Sequence, residues 1–313
     1  MLSRRAFAAA TLAAVTAGCS GNKRKRIAVI PKATSHLFWV SVKEGAERAG
    51  RELDVDVLWN GAAAETDYAR QIQIVDSMVA QHVDGIAIAA SQRQALVASV
   101  ERAIQSGIPV TVFDSGLDIE DYNSWVATDN KEAGRLGART LAEMLRGKGE
   151  VGLVMHAPGS LSTMDREAGF REVMAKEFPK IRIVGEQFGM SDAAKSRAAA
   201  ENILTAHPEI DGMFASSEPS AVGCSLAISS RGLSDKVTLV GFDSSDGLIE
   251  DLRKGAVDAL IVQDPRKMGF EAVNTVVQKL RGQAPPKRMD LQAVAVKRGD
   301  LDKPEIKTLL NIK

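Results

Sequence analysis

Two parts of this chain repeat one plan in one order, and that repetition narrows the folds open to it. Asp84-Gly85 opens an apolar run, Ile86–Ala90, and about 30 residues later the sequence reads Val112-Phe113-Asp114-Ser115. In the second half Asp211-Gly212 opens Met213–Ala215, and a similar distance later comes Gly241-Phe242-Asp243-Ser244. Around these marks short β-branched runs alternate with stretches of helical spacing. Arg26–Pro31, Val55–Trp59, Gly85–Ala90 and Pro109–Asp114 read as strands. Phe38–Leu53, Tyr68–Gln81 and Gln94–Ser106 read as helices, and the alternation resumes from Lys131 to about Leu280. Strands separated by helices of this length pair in parallel through right-handed crossovers. The prediction is an α/β protein of two similar doubly wound parallel-sheet domains. A length of 313 residues with 45% apolar content is enough for two such cores.

The first residues do not belong to that pattern. Arg4-Arg5 precedes an apolar run, Ala6–Ala17, broken only by threonines and followed by Gly18-Cys19. A basic head, a short apolar stretch and small residues predict a secretory signal over residues 1–18. Ser3-Arg4-Arg5-Ala6-Phe7 resembles a twin-arginine export motif, and Thr16-Ala17-Gly18-Cys19 resembles a lipobox in which Cys19 is acylated. Residues 19–25 then read as a polar tether. The expected location is therefore the periplasm or cell envelope, with an anchor through Cys19.

Charge and cysteine content exclude several functions. The chain holds 40 basic and 40 acidic residues. Loss of Arg4 and Arg5 with the signal leaves a slight acidic excess, which does not suit a nucleic-acid surface. Beyond the N-terminus no apolar stretch reaches the roughly 20 residues that a membrane span needs. The other cysteine, Cys224, sits among small apolar residues in a predicted helix and reads as a buried, inert thiol. His36, His82, His156 and His207 lack metal-ligand spacing, and HExxH, GxSxG and P-loop patterns are absent, so neither an enzyme nor a cofactor is predicted. Asp114 and Asp243 as an acid/base pair are the one catalytic option that the residues leave.

In open parallel sheets ligands bind beyond the carboxyl ends of the strands. The polar residues that follow the apolar runs are Lys32 and His36, Asp114, Ser217 and Glu218, Asp243, and Gln263 with Asp264. The two aspartates hold equivalent places in the repeat, so facing domains would point both into one cleft. An ionised aspartate can hold two neighbouring hydroxyls, the Arg166 guanidinium can donate a fork of hydrogen bonds, and Gln263 can donate and accept. Arg166 is placed in a loop or first helical turn. Phe38 and Trp39 offer apolar ring faces to a sugar's C–H side. Glu218 is read as a cap of the helix beginning at Pro219 rather than as a ligand contact.

At these residues the sequence resembles the ribose-binding branch of the type I periplasmic binding proteins, from about Arg26 to Lys297. The likeness rests on Phe38-Trp39-Val40-Ser41-Val42-Lys43-Glu44-Gly45-Ala46, Ile108-Pro109-Val110 running to Asp114, Ala127-Thr128-Asp129-Asn130, Leu204-Thr205-Ala206-His207-Pro208 and Val240-Gly241-Phe242-Asp243. The resemblance implies a three-strand hinge, with crossings near Thr128-Asp129, Gln263-Asp264 and Leu291-Gln292. It divides the chain into an N-terminal lobe of 26–128 plus 264–291 and a C-terminal lobe of 129–263 plus 292–313. Phe38 and Trp39 match the aromatic pair beside the sugar, and Asp114, Arg166, Asp243 and Gln263 match polar contacts. His36 and Ser217 fall where ribose binders carry asparagines, Lys32 replaces a small hydroxyl residue, and Ser115 stands at an arginine position. The second domain's aromatic is missing near Ser191, where Met190 or Phe188 is the substitute.

These departures point away from ribose itself and toward a larger polyol, an amino sugar or an acidic sugar. The implied function is the solute-binding component of an ABC importer. It is monomeric, binds a sugar, polyol or sugar derivative by hinge closure, and hands it to a membrane permease. The alternative is a sensory binding protein that presents a sugar or furan-like signal to a receptor. A transcriptional regulator of the same effector fold would need an N-terminal helix-turn-helix, and the export signal stands in its place.

Overall fold

The computed structural model describes residues 24–312. The predicted signal and Cys19 lie outside the described residues. Strands β1 (Lys25–Ile30), β2 (Val55–Trp59), β3 (Gly85–Ile88), β4 (Val110–Phe113) and β5 (Ser124–Thr128) fall in the first part of the chain, and β6 (Gly149–Met155), β7 (Ile181–Phe188), β8 (Gly212–Ala215), β9 (Thr238–Phe242) and β10 (Ala259–Val262) in the second. Two short strands follow, β11 (Arg288–Leu291) and β12 (Val294–Lys297). They form two six-stranded sheets, ordered β11-β5-β4-β3-β1-β2 and β12-β10-β9-β8-β6-β7. Removal of β11 and β12 leaves one strand order written twice, as the sequence repeat requires.

The final strands break the identity. β11 pairs parallel with β5, whereas β12 pairs antiparallel with β10. Both β5 and β10 end where the chain passes between the sheets. β11 runs toward that crossing and β12, two residues later, runs away from it, so one of the two must lie antiparallel. The second sheet is therefore parallel except at this edge.

Each sheet is buried on both faces by alternate residues. In the first, Ile27, Val29, Ala87 and Phe113 pack under α1 (Leu37–Leu53) and α9 (Pro265–Leu280), while Ala28, Ile30, Ile86, Ile88 and Val112 face α2 (Tyr68–Ala80) and α3 (Val97–Gln105). In the second, Leu153, Phe214, Val240 and Phe242 pack under α4 (Asn130–Met144) and α5 (Leu161–Lys176). On its other face Val154, Met213, Leu239 and Leu260 meet α6 (Ala193–Ala206), α7 (Glu218–Ser230) and α8 (Asp246–Lys254). Cys224 is fully buried in α7, and burial pushes its thiol pKa up. Among the described residues no helix is long and apolar enough to cross a membrane.

Helix α3 begins three residues later than its apolar spacing predicts. The Gln92 side-chain oxygen accepts the N–H groups of Gln94 and Ala95, which holds this stretch in a turn. Arg166 is the sixth residue of α5, in its second turn, rather than in a loop or the first turn.

Three passages join the sheets: β5 into α4, β10 into α9, and β11 into β12. They are tied to one another. The Asp129 N–H donates to the Leu291 carbonyl (3.0 Å), and the Thr128 hydroxyl donates to Gln263 Oε1 (2.5 Å). Asp129 and Asp264 each cap the helix that follows, accepting the N–H groups of Glu132 and Lys267.

Candidate ligand-binding cleft

The carboxyl ends of both sheets face each other across a narrow pocket. All nine residues predicted for the site line it: Lys32, His36, Phe38, Trp39, Asp114, Arg166, Ser217, Asp243 and Gln263. It is also lined by Glu65, His156 and Glu218, the first two of which were not predicted.

The backbone aims the two strand-end aspartates. Asp114 has φ 53° and Asp243 φ 68°, both left-handed, a region open at low cost to glycine, asparagine and aspartate. Each turns its N–H back onto a neighbouring strand, Asp114 to Val126 (2.9 Å) and Asp243 to Ile261 (2.8 Å), and swings its side chain into the cleft. Asp114 Oδ2 lies 2.9 Å from Lys32 Nζ. Gln263 Nε2 donates to Asp243 Oδ1 (2.6 Å), and the Thr128 hydroxyl on Gln263 Oε1 fixes the orientation of that amide.

Arg166 is 3% exposed, and part of its guanidinium is held by the protein. Its Nε donates to Asn130 Oδ1 (2.8 Å), its Nη1 to the Ser216 carbonyl (3.1 Å), and its guanidinium stacks 3.8 Å over the Phe242 ring. Nη1 stands 3.9 Å from Asp243 Oδ2. On the opposite wall Phe38 and Trp39 meet edge to face at 4.9 Å between centroids.

Several bonds cross from one sheet's domain to the other. Lys32 Nζ donates to Ser160 Oγ (3.1 Å) and Ser162 Oγ (2.9 Å) at the start of α5. The Phe38 N–H, in the first turn of α1, donates to Glu218 Oε2 (3.3 Å). Glu218 therefore faces the N-terminus of the other domain's helix, where a negative charge is favoured. The N-cap position of its own helix belongs to Ser217, whose side chain makes no capping bond. Glu65, on the loop after β2, accepts from Trp39 Nε1 (2.8 Å), His36 Nδ1 (3.2 Å) and, across the cleft, His156 Nε2 (2.8 Å). His156 Nδ1 in turn meets Ser217 Oγ at 2.9 Å.

Residues 27–284 match the model of the periplasmic binding protein domain. The chain belongs to that family. Export to the periplasm follows from membership. Among curated relatives of this periplasmic binding protein, the D-ribose/D-allose-binding protein of Pseudomonas aeruginosa is 29% identical over 276 residues, 86% of each chain. The D-allose-binding periplasmic protein of Escherichia coli is 28% identical over 285 residues, covering 88% of this chain and 86% of that one. Among solved structures, a carbohydrate transporter solute-binding protein from Agrobacterium radiobacter in complex with D-arabinose superposes with a TM-score of 0.90 at 33% identity, over 92% of this chain and 99% of its own. A solute-binding protein of an ABC transporter from Agrobacterium vitis with bound D-fucose gives 0.88 at 32% identity, over 91% and 99%. These relatives are binding proteins rather than enzymes.

In this periplasmic binding protein the buried charges perturb one another. Burial alone would raise the Glu65 carboxyl, but the charges of His156 and Lys32 and the two histidine hydrogen bonds hold it well below the usual range. Burial alone would lower His36; its bond to Glu65 and the nearby carboxylates raise it instead. Burial and the charge of Asp243 push Glu218 up to about 7, against the Phe38 N–H and His36. Asp243 is also raised, by burial first, with Arg166 and Gln263 opposing.

Phe188 and Met190, the substitutes expected for a second-domain aromatic, are 42% and 37% exposed and do not line the pocket. His156 follows its strand as Lys32 nearly follows β1, so the strand-end rule that selected Lys32 was enough to select it. Glu65 lies six residues past β2 among small residues, with no local pattern to mark it.

Proposed function

We propose that this protein is the solute-binding component of an ABC importer and takes a small polyhydroxylated ligand, a sugar, polyol or sugar derivative, into the interdomain cleft. The observation that carries the reading is one pocket walled by an aromatic pair on one side and by carboxylates, a guanidinium and an amide on the other. Lys32, His36, Phe38, Trp39, Asp114, Arg166, Ser217, Asp243 and Gln263 are the ligand contacts, with Glu65 and His156 bracing them. Sugars bound by the arabinose- and fucose-complexed relatives support the ligand class. The lobes are 26–128 plus 264–291 and 129–263 plus 292–313, moving about the three crossings. Ligand touches both lobes only when they are closed, so its differential affinity draws the population toward closure. Acylated Cys19 holds the protein at the membrane as a monomer, and the closed surface is what the permease recognises. The cleft binds without turning over its ligand.

A thermal-shift screen with D-ribose, D-allose, D-arabinose, D-fucose, the polyols derived from them, their amino derivatives and sugar acids tests this. A true ligand at 100 times its Kd adds about 2.7 kcal/mol to the folded state and raises Tm. Failure of every sugar and polyol to raise Tm, or hydrolysis of a chromogenic glycoside by the purified protein, overturns the reading.

A further inference from the structure

On the reading that the cleft takes a polyhydroxylated solute, we infer that this solute also carries a positive charge. The Glu218 and Asp243 wall, two carboxylates against one guanidinium, is built for a protonated amine, as on an amino sugar or aminopolyol.

The titratable and charged groups lining the pocket are four carboxylates, Glu65, Asp114, Glu218 and Asp243, with Lys32, Arg166 and the two histidines His36 and His156. Their pairings divide them by wall. Lys32 serves Asp114 at 2.9 Å and lies 4.0 Å from Glu65, which also gathers Trp39 and both histidines. On the other wall Arg166 is engaged by Asn130 and the Ser216 carbonyl and comes no nearer than 3.9 Å to Asp243. Glu218 has no ion pair within 4.0 Å among the described residues; the Phe38 N–H donates to it, and the charge of His36 favours its ionised form. It is 8% exposed, and Asp243 is 7% exposed.

Two carboxylates buried this deeply beside a single guanidinium, 3.9 Å from Asp243, cannot both ionise without cost, and such groups hold on to a proton instead. The raised positions of Glu218 and Asp243 agree. A ligand hydroxyl would donate to either carboxylate but leave the like charges uncompensated. An ammonium supplies up to three donors and the missing charge together. A sugar acid would add a further negative charge to the same wall, and the imbalance disfavours it. On the opposite side Asp114 Oδ2 is buried without a well-aligned hydrogen-bond donor despite the nearby Lys32, which leaves it free to accept a ligand hydroxyl.

Calorimetric titration near neutral pH tests the assignment with matched pairs: D-glucosamine against D-glucose, D-galactosamine against D-galactose, and 1-amino-1-deoxy-D-sorbitol against D-sorbitol, with D-ribose, D-allose and D-arabinose as further neutral probes. At least one amine should bind roughly tenfold or more tightly than its neutral parent. Glu218→Gln should bring that pair within about twofold while the Tm of the free protein does not fall. If Glu218→Gln does not fold, Asp243→Asn takes its place. Neutral sugars that bind as tightly as the amines or more tightly, or an amine preference that survives the substitution, overturn the inference and leave the sugar-binding reading intact. If no probe binds, the sugar-binding reading itself fails and this inference with it.

Discussion

In the first lobe α1 and α9 approach so closely that a Cβ on Gly45 would lie 2.0 Å from the Arg266 carbonyl oxygen and one on Gly269 2.0 Å from that of Val42. In the second lobe the same pair of contacts recurs between α5 and α4, with Gly169 on Lys131 at 2.1 Å and Gly134 on Arg166 at 2.0 Å. Counting from these contacts aligns the two sites. Arg166 stands where the first lobe has Val42, Ser162 and Thr163 where it has Phe38 and Trp39, and His156 where it has Lys32. Asp114 matches Asp243, and the caps Asp129 and Asp264 match as well. Backbone contacts that tolerate only glycine are kept in both copies. Side chains at the cleft differ, because the two walls do different work. One lobe supplies rings and a lysine; the other supplies a guanidinium, hydroxyls and the unbalanced carboxylates.

The largest expected effect comes from the position where the lobes differ most. Arg166→Ala leaves Asp243 buried without its cation and should destabilise the protein by about 3–5 kcal/mol in urea unfolding while abolishing the Tm rise on ligand addition. Val42→Ala, at the equivalent place, removes two methyl groups, should cost about 1–2 kcal/mol and should leave ligand binding intact. If the two variants lose stability and ligand binding alike, Arg166 is a core residue like its counterpart and not a cleft residue.

The aspartates test where the lobes agree. Alanine resists the left-handed conformation at Asp114 and Asp243, whereas asparagine adopts it more readily. Asp114→Ala should therefore be about 1–2 kcal/mol less stable than Asp114→Asn, and Asp243→Ala similarly less stable than Asp243→Asn, by denaturant midpoint. All four should bind ligand weakly, since all four lack the carboxylate. A gap in one lobe only would show that the two strand ends are not equivalent in what the backbone asks of them.

Sequence made the repeated frame legible because strands buried on both faces leave unbroken β-branched runs, and the aspartates at their ends sit in equivalent places. The strand-end rule reached Lys32, Asp114, Ser217 and Asp243 for the same reason. It could not reach Glu65, which a loop of six residues carries back to the cleft and whose role exists through His156, Trp39 and His36. It misjudged Glu218 because a carboxylate in a first helical turn satisfies a local capping rule, and nothing local reveals that the N–H it accepts belongs to α1 of the other lobe. Arg166 was found as a residue but misplaced by a turn, since serine and threonine at 162–163 resemble a loop. The repeated strand frame of each lobe was legible; side-chain contacts made through loops or across the cleft were not.

Glu218 offers the smallest and most discriminating effect. Its carboxyl is raised in the folded protein, to about 7 from an ordinary value near 4.5. The folded state therefore binds the extra proton. The associated stability is fully present below the ordinary value and is lost as pH rises through about 7. Glu65 runs the other way: its lowered carboxyl contributes stability above its ordinary range and loses it as pH falls through the depressed value. In the ligand-free protein Glu218→Gln should remove the decline between pH 4.5 and 7 and leave the variant more stable than the parent at neutral pH, on the order of 1 kcal/mol. Glu65→Gln should be less stable than the parent across that window, because it replaces an acceptor that gathers three donors from both lobes. Opposite signs for two carboxylates in one cleft, read from Tm against pH, would show that the first-lobe wall is electrically satisfied without ligand and the second-lobe wall is not. Equal signs would mean that the charge imbalance is spread over the whole pocket.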